Sequence, residues 1–493
     1  MLWAGLLLAP VLAPAALWVV CLLMANRELG RLASAARARG EPFYAADFAE
    51  PVKVTSGPNS AALLRRAESA ATILPKDDAA CVAALNDQAP RGGTGVLRGI
   101  VKKNGQSLAL AREARRVDRV EWETAFREYR PLAAGAGGAY QWRPGMMLLY
   151  TAACVALLDA DDAAAVEYLR DLLFHSRAVG EYPQVNQHVW SVVTSDAAVR
   201  LIERTAPSFQ VAGAGAASPR AATRGQVRAL MDELLDESHL RRSHRTHMMY
   251  ERSYWADQAR LLGKANPLYM PIVRRDGARV AEVYDGIVDA TDESTWPAAR
   301  AKMKPFVSPL TSPAALPRVR RIDTVHDFTH AVSTRYADMY SSPPHPRQLQ
   351  VERMFATISY RRMAAVLLAL RLYHLDHAGT LPRKLDELVP DYLASVPGDP
   401  YAGDGRPVGW LPDAAPPRLY CLGEDGTDEM ATVGGVGGVT PFYGRYTESD
   451  VILFFDTRGS SAQRAGEQRG VAEQPGQDEQ EGGGAEEPEQ RQE

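Results

Sequence analysis

From Met1 to Asn26 the chain carries no charged side chain. A run of that length limits what the chain can fold into. A helix over Leu2–Met24 would be about 34 Å long at roughly 1.5 Å per residue, enough to cross a bilayer core. Trp3 and Trp18 suit interfacial positions, and Pro10 and Pro14 are tolerated in membrane helices. The segment is expected to be a transmembrane anchor. A cleaved signal peptide is the alternative, but the run is long for one and no small-x-small site follows it. Arg27, Arg31, Arg37 and Arg39 follow the run, and no Lys or Arg precedes it. By the positive-inside rule this favours a cytoplasmic body.

The rest of the chain reads as helical. With 493 residues and an apolar fraction of 46%, it can bury a large core divided into roughly two or three domains. The net charge of −4 gives no basic excess to suggest nucleic acid as a partner. Arg31–Ala38, Asn59–Leu74 and Ser107–Tyr129 are expected helices. Met146–Leu158 and Ala163–His175 form an αα-hairpin across Asp159–Asp162, with an Asp as cap. Val189–Arg204 adds a third helix to that block. Ala212–Ala222 is a linker, and helices resume at Gln226–Leu262, Val280–Asp292 and Ala298–Met303. From Gly459 onward the chain is mainly Gln, Glu and Gly, and disorder is expected. Cys21, Cys81, Cys154 and Cys421 form no CxxC pair, which leaves buried free thiols or a Cys81–Cys154 disulfide.

The densest group of candidate ligands is His239, His244 and His247 with Glu251. On a helix, positions 244, 247 and 251 share a face that could offer imidazole and carboxylate ligands to a metal. Arg241, Arg242 and Arg245 in the same segment would oppose a cation, which favours a solvated basic face. His326 and His330 are spaced i, i+4 beside Asp323 and Asp327, and form a second candidate pair. His374 and His377 close a long helix, where the macrodipole favours them. No GxSxG, SxxK, P-loop or dinucleotide fingerprint occurs in a suitable setting.

Toward the C-terminus, Val351, Met354, Phe355, Ile358, Ala365, Val366, Ala369, Leu370 and Tyr373 fall at helical spacing, interrupted by Arg362. Gly379-Thr-Leu-Pro382 stops that helix. Leu-Asp-Glu-Leu-Val-Pro (385–390) and Val-Pro-Gly-Asp-Pro (396–400) follow. Arg418–Leu422 and Val451–Phe455 have strand length, giving a long helix on a small antiparallel sheet. This order, with Leu-Tyr-His-Leu-Asp-His-Ala-Gly-Thr-Leu-Pro (372–382) and Asp-Val-Ile-Leu-Phe-Phe-Asp (450–456), resembles the soluble head of the major pseudopilin of type II secretion. With Leu-Ala-Ser-Ala-Ala-Arg-Ala-Arg-Gly-Glu-Pro (32–42) and Asn-Ser-Ala-Ala-Leu-Leu (59–64), the chain also resembles uncharacterised bacterial single-pass proteins carrying such a head. The resemblance implies that the acidic, Gly-rich segment between the strands holds calcium, with Asp425 and Asp450 at the matching positions and Asp428 as the best local addition; the alternative is a flexible, metal-free loop. It also implies an extracytoplasmic body, on the periplasmic side of the inner membrane. The pseudopilin leader and the Glu of its apolar helix are missing, so processing or polymerisation as a pilin is not expected.

The expected architecture is therefore mainly α: a transmembrane anchor (1–26), an α-helical domain (27–340), a pseudopilin-like α+β domain (341–457) and a disordered acidic tail (458–493). The expected role is that of a structural or interaction protein, not an enzyme, held to the membrane through residues 1–26 and meeting protein partners in the cell envelope. The alternative is a metal-dependent hydrolase on His239, His244 and His247, or on His326 and His330.

Overall fold

Hydrogen bonds from side chains fix where some of the helices begin. The structure is a computed structural model that describes residues 2–48, 57–85, 93–117, 119–122, 142–182, 185–213, 218–265, 270–311, 345–431 and 450–456; within these, the side chains of 2–13, 185–187, 262–265, 306–311 and 345–350 are not described. Helix α1 spans Leu2–Ala38, and α2 (Ser60–Ala70) is capped by the Asn59 side chain, which accepts from Ala61 N at 3.1 Å. Helices α3 (Pro75–Leu85), α4 (Thr94–Lys103) and α5 (Gly105–Arg115) follow. Helix α6 (Arg143–Leu158) opens with a proline in its first turn, where no N–H partner is lost. Helix α7 (Asp162–Gly180) is capped by Asp161, whose side chain accepts from Ala164 N at 2.9 Å. The expected α6–α7 hairpin is present, and α8 (Val185–Thr205) packs beside it. A Thr223–Gln226 capping box opens α9 (Arg224–Leu235), and α10 (Ser238–Ala265), α11 (Met270–Ala290) and α12 (Trp296–Thr311) complete the array.

Helix α13 (His345–Asp376) runs through the centre. Every side chain from Met363 to Leu370 is buried, so the helix is apolar all round there and is not a single stripe. It packs on α8, α9 and α12 as well as on the sheet, which is why residues 1–455 form one compact unit. Ala378 and Gly379 turn left-handed after the helix, and Gly379 N donates to His374 O at 2.9 Å. Strands β1 (Gly409–Leu411), β2 (Arg418–Cys421) and β3 (Val451–Phe454) form an antiparallel sheet in the order β1-β2-β3. Tyr420 lies opposite both Gly409 and Ile452, and its ring occupies the space a side chain at 409 would need. Leu419, Cys421, Val451 and Leu453 are buried on the face toward α13.

The arginines that interrupt the α13 pattern are structural. The Arg361 side chain is 7% exposed. It donates from Nε to Leu234 O at 3.0 Å, from Nη1 to Ser195 Oγ at 3.3 Å, and from Nη2 to Glu233 O at 2.5 Å and Asp236 O at 3.1 Å. One guanidinium thus occupies carbonyls that α9 leaves unpaired at its C-terminus. Arg362 ties Glu237 to the C-terminal segment by donating to Glu237 Oε2 at 3.0 Å and Gly398 O at 2.8 Å.

The N-terminal segment departs from expectation. Among the described residues no helix is long and apolar enough to cross a membrane. Helix α1 does not end with the uncharged run but continues through Arg27, Glu28, Arg31 and Arg37 to Ala38. Leu29, Leu32, Ala33 and Ala36, spaced i, i+3, i+4 and i+7, bury themselves with Ala278 and Ala281 of α11, Ala256 of α10 and Phe43. Charge reinforces this attachment. The fully buried Arg252 donates to Glu41 Oε2 at 3.0 Å and Pro42 O at 2.9 Å, and pairs with Asp285. Arg245 also holds Glu41, at 2.6 Å, while Arg39 bridges Glu41 at 3.0 Å and Asp285 at 2.9 Å. The transmembrane anchor expected at 1–26, and with it the localisation as a single-pass membrane protein, is corrected accordingly. The expected acidic tail (458–493) lies outside the described residues, and the helix expected over Ser107–Tyr129 ends at Arg115: residues 119–122 are not helical, and 123–129 lie outside the described residues.

Replacing Arg361 by Met keeps an unbranched side chain but leaves the buried carbonyl of residue 234 and the part-buried carbonyls of 233 and 236 without their donor. Denaturant unfolding of Arg361→Met is expected to show a loss of about 3–5 kcal/mol. A loss below about 1 kcal/mol would show that α9 ends independently of α13.

Candidate functional site

Helix α10 turns the predicted histidine face inward. His244 and His247 are buried, and a third imidazole, His188 of α8, joins them. His188 Nε2 lies 2.8 Å from His244 Nδ1, and His188 Nδ1 lies 3.0 Å from the Ser243 hydroxyl. The His188 and His247 rings stack at 5.2 Å between centroids. Burial, with the neighbouring imidazoles adding to it, pushes the His188 pKa well below the usual range and that of His244 down to about 3. Both are therefore neutral. Among the described residues no group of three or more His, Cys, Asp or Glu is placed to hold a metal. His239 stands apart, 3.1 Å from Glu181. Arg241 donates to Glu293 O at 2.7 Å, and Arg242 and Arg245 are ion-paired, so the segment is not a solvated basic face. His326 and His330 lie outside the described residues. All four cysteines are free thiols.

Beside the histidines lies a cavity of about 440 Å³ between α5, α7, α8, α9, α10 and α13. Arg115, Arg116, Arg170, Arg177 and Arg361 line it, against the carboxylates Glu233 and Asp236. Three of these cations are committed. Arg170 donates to Glu233 Oε1 at 2.7 Å and Glu167 Oε1 at 3.1 Å, Arg115 pairs with Asp171 at 2.7 Å, and Arg361 serves α9. The Arg116 and Arg177 guanidiniums have no hydrogen bond or ion pair among the described residues; Arg177 is near enough to Glu181 and Asp236 to add to the forces that hold both carboxyls low. For Glu181 those forces overcome burial chiefly through the His239 hydrogen bond and Arg242, and for Asp236 through hydrogen bonds from Ser238. Leu173, Phe174 and Leu240 supply apolar wall. At Ser176 the hydroxyl donates to Ser191 O at 2.7 Å and closes the floor. Gly180 lets α7 approach α8 and α10 there, since a Cβ on it would meet Ser191 Oγ and Ser243 Oγ, each at 2.8 Å.

The acidic residues expected to bind calcium make protein contacts. Asp428 pairs with Arg406 at 2.7 Å and accepts from Met430 N at 3.0 Å. Asp425 accepts from Thr427 N at 2.9 Å, and the buried Asp450 accepts from Ala431 N at 2.9 Å. A guanidinium thus already meets the charge of Asp428, and these carboxylates do not form a metal-holding group among the described residues. Residues 432–449, whose carbonyls that expectation also used, lie outside the described residues. Nearby, burial and then the charge and hydrogen bond of Glu424 push the Glu352 pKa up to about 8, with Arg353 and Arg300 opposing.

Compared with known proteins, the chain matches no family model, no curated protein and no solved structure. The likeness of its C-terminal region to a pseudopilin head therefore rests on the residues quoted above.

These buried groups predict two opposing pH dependences. The unfolded chain takes up protons on its imidazoles below about pH 6.5, whereas folded His188 and His244 resist them. Their contribution to stability is complete above about pH 6.5 and is lost as the pH falls toward about 3, where His244 titrates. Urea unfolding of His244→Gln is expected to show a shallower loss than the wild type between pH 6.5 and 5; equal slopes would mean that His244 titrates normally. Folded Glu352 keeps its proton up to about pH 8, while the unfolded chain releases it near pH 4.5. Its contribution is complete below pH 4.5 and is lost as pH rises through 8. Glu352→Gln is expected to remove that decline, read as the difference from wild type across the same range.

Proposed function

We propose that this chain is an interaction protein, not an enzyme, and that its arginine-lined cavity binds an anionic small molecule. The observation that carries this reading is the pair of Arg177, half-buried, and Arg116, exposed: two cations lining one cavity whose guanidiniums are not hydrogen-bonded or ion-paired among the described residues. Guanidinium forks favour carboxylate and phosphate oxygens, and a cavity wall raises the value of each such contact over open solvent. Leu173, Phe174 and Leu240 add an apolar stretch to a wall that is otherwise charged and polar. The mutual hydrogen bonding and deep burial of His188 and His244 support a structural part for that cluster, in place of the hydrolytic one considered from sequence.

Thermal unfolding with added phosphate, sulfate or acetate, compared with chloride at equal ionic strength, tests this reading. At least one polyvalent or carboxylate anion is expected to stabilise the protein; saturating ligand at 100 times Kd contributes about 2.7 kcal/mol. The double variant Arg116→Ala, Arg177→Ala is expected to keep its fold and lose the response. Equal behaviour of all anions, or an unchanged response in the double variant, would overturn the proposal.

A further inference from the structure

The cavity points to a narrower ligand class, and this step rests on the anion-binding reading above. We infer that the ligand is a phosphate monoester carrying an apolar, ring-sized group. The first argument is charge. Arg115 and Arg170 are already paired with carboxylates, but Arg116 and Arg177 have no hydrogen bond or ion pair among the described residues, and two such cations match a dianion better than a monoanion. The second is the origin of the cations. Arg116 follows the end of α5, Arg177 is on the last turns of α7, and Arg361 comes from the buried middle of α13. Cations presented from three separate elements suit a tetrahedral group with three terminal oxygens, whereas a planar carboxylate is served by a single fork.

Arg361 adds a physical reason for an anion at this place. Its guanidinium is buried, and its hydrogen bonds go to three backbone carbonyls and one serine, none of them to a carboxylate. Burial lowers its pKa, with Glu237, Asp236, Asp196 and Glu233 opposing only through longer-range attraction. Four donor contacts leave one of the five guanidinium hydrogens unassigned. A dianion in the adjoining cavity would supply the counter-charge that this buried cation lacks in direct contact.

The third argument is the apolar wall. Leu173 and Phe174 of α7 and Leu240 of α10 line the same cavity as the arginines. Inorganic phosphate would leave that surface wet. A phosphate with an attached ring would cover it, and burial of about 100 Å² of apolar area strengthens binding more than tenfold.

Isothermal titration of the full chain with phenyl phosphate, inorganic phosphate and benzoate tests the inference. Phenyl phosphate is expected to bind at least tenfold more tightly than either of the others. Arg177→Ala and Arg116→Ala are each expected to weaken it about tenfold with unchanged far-ultraviolet circular dichroism. Leu240→Ala is expected to weaken phenyl phosphate while leaving inorganic phosphate unaffected. If benzoate binds as tightly as phenyl phosphate, the phosphate assignment fails and the anion-binding reading stands. If inorganic phosphate equals phenyl phosphate, the apolar part of the ligand is wrong. If none of the three binds and no other anion stabilises the fold, both readings fall together.

Discussion

The C-terminus of α9 depends on a charge placed where charge is costly. Helix α13 can be apolar on all sides only because other elements enclose it, and α9 is one of them. The C-terminal carbonyls of α9 are turned toward α13, that of Leu234 in a buried contact and those of Glu233 and Asp236 in part-buried ones. Arg361 reaches across from α13 and donates to them, turning a helix end that could not be buried into one that can. Arg362, next in sequence, points another way and draws Glu237 and the Gly398 carbonyl onto the same helix. Two adjacent residues therefore join the helical array to the C-terminal α+β segment, and one core serves both.

How much of this was legible depended on the range of the signal. The α6–α7 hairpin could be read because its evidence is local: the Asp cap and the apolar positions on either side lie within a few residues of one another. The sheet was legible for the same reason, as short apolar runs around Leu419 and Leu453. Helix α13 was read as one stripe because periodicity shows which positions are apolar but not how many neighbours surround them. The N-terminal run misled because hydropathy is measured over a window, whereas what fixes α1 is the alanine-rich face after it and the ion pairs of Glu41, 41 residues into the chain.

The candidate site was hidden for a different reason. The spacing of His244 and His247 correctly marked one helix face, but sequence gave no sign of which way it looked. Their partner His188 sits on another helix, with nothing in its own surroundings to separate it from a core residue. Arg116 and Arg177 are unremarkable in sequence, because an arginine near a helix end is ordinarily solvated. They become notable only once the fold brings both, Arg177 half-buried and Arg116 exposed, to the lining of one space between several helices. Properties that arise from such an enclosure cannot be read from local pattern.

The way α1 is attached sets it apart from the rest of the molecule. Its apolar contact is a small separate cluster made largely of alanines, outside the main core, and much of its hold comes from the lattice joining Arg39, Glu41, Arg245, Arg252 and Asp285. Small side chains allow close approach but bury little area, and charges weaken when carboxylates are protonated. The attachment of α1 therefore rests on ion pairs in a way that the apolar enclosure of α13 does not.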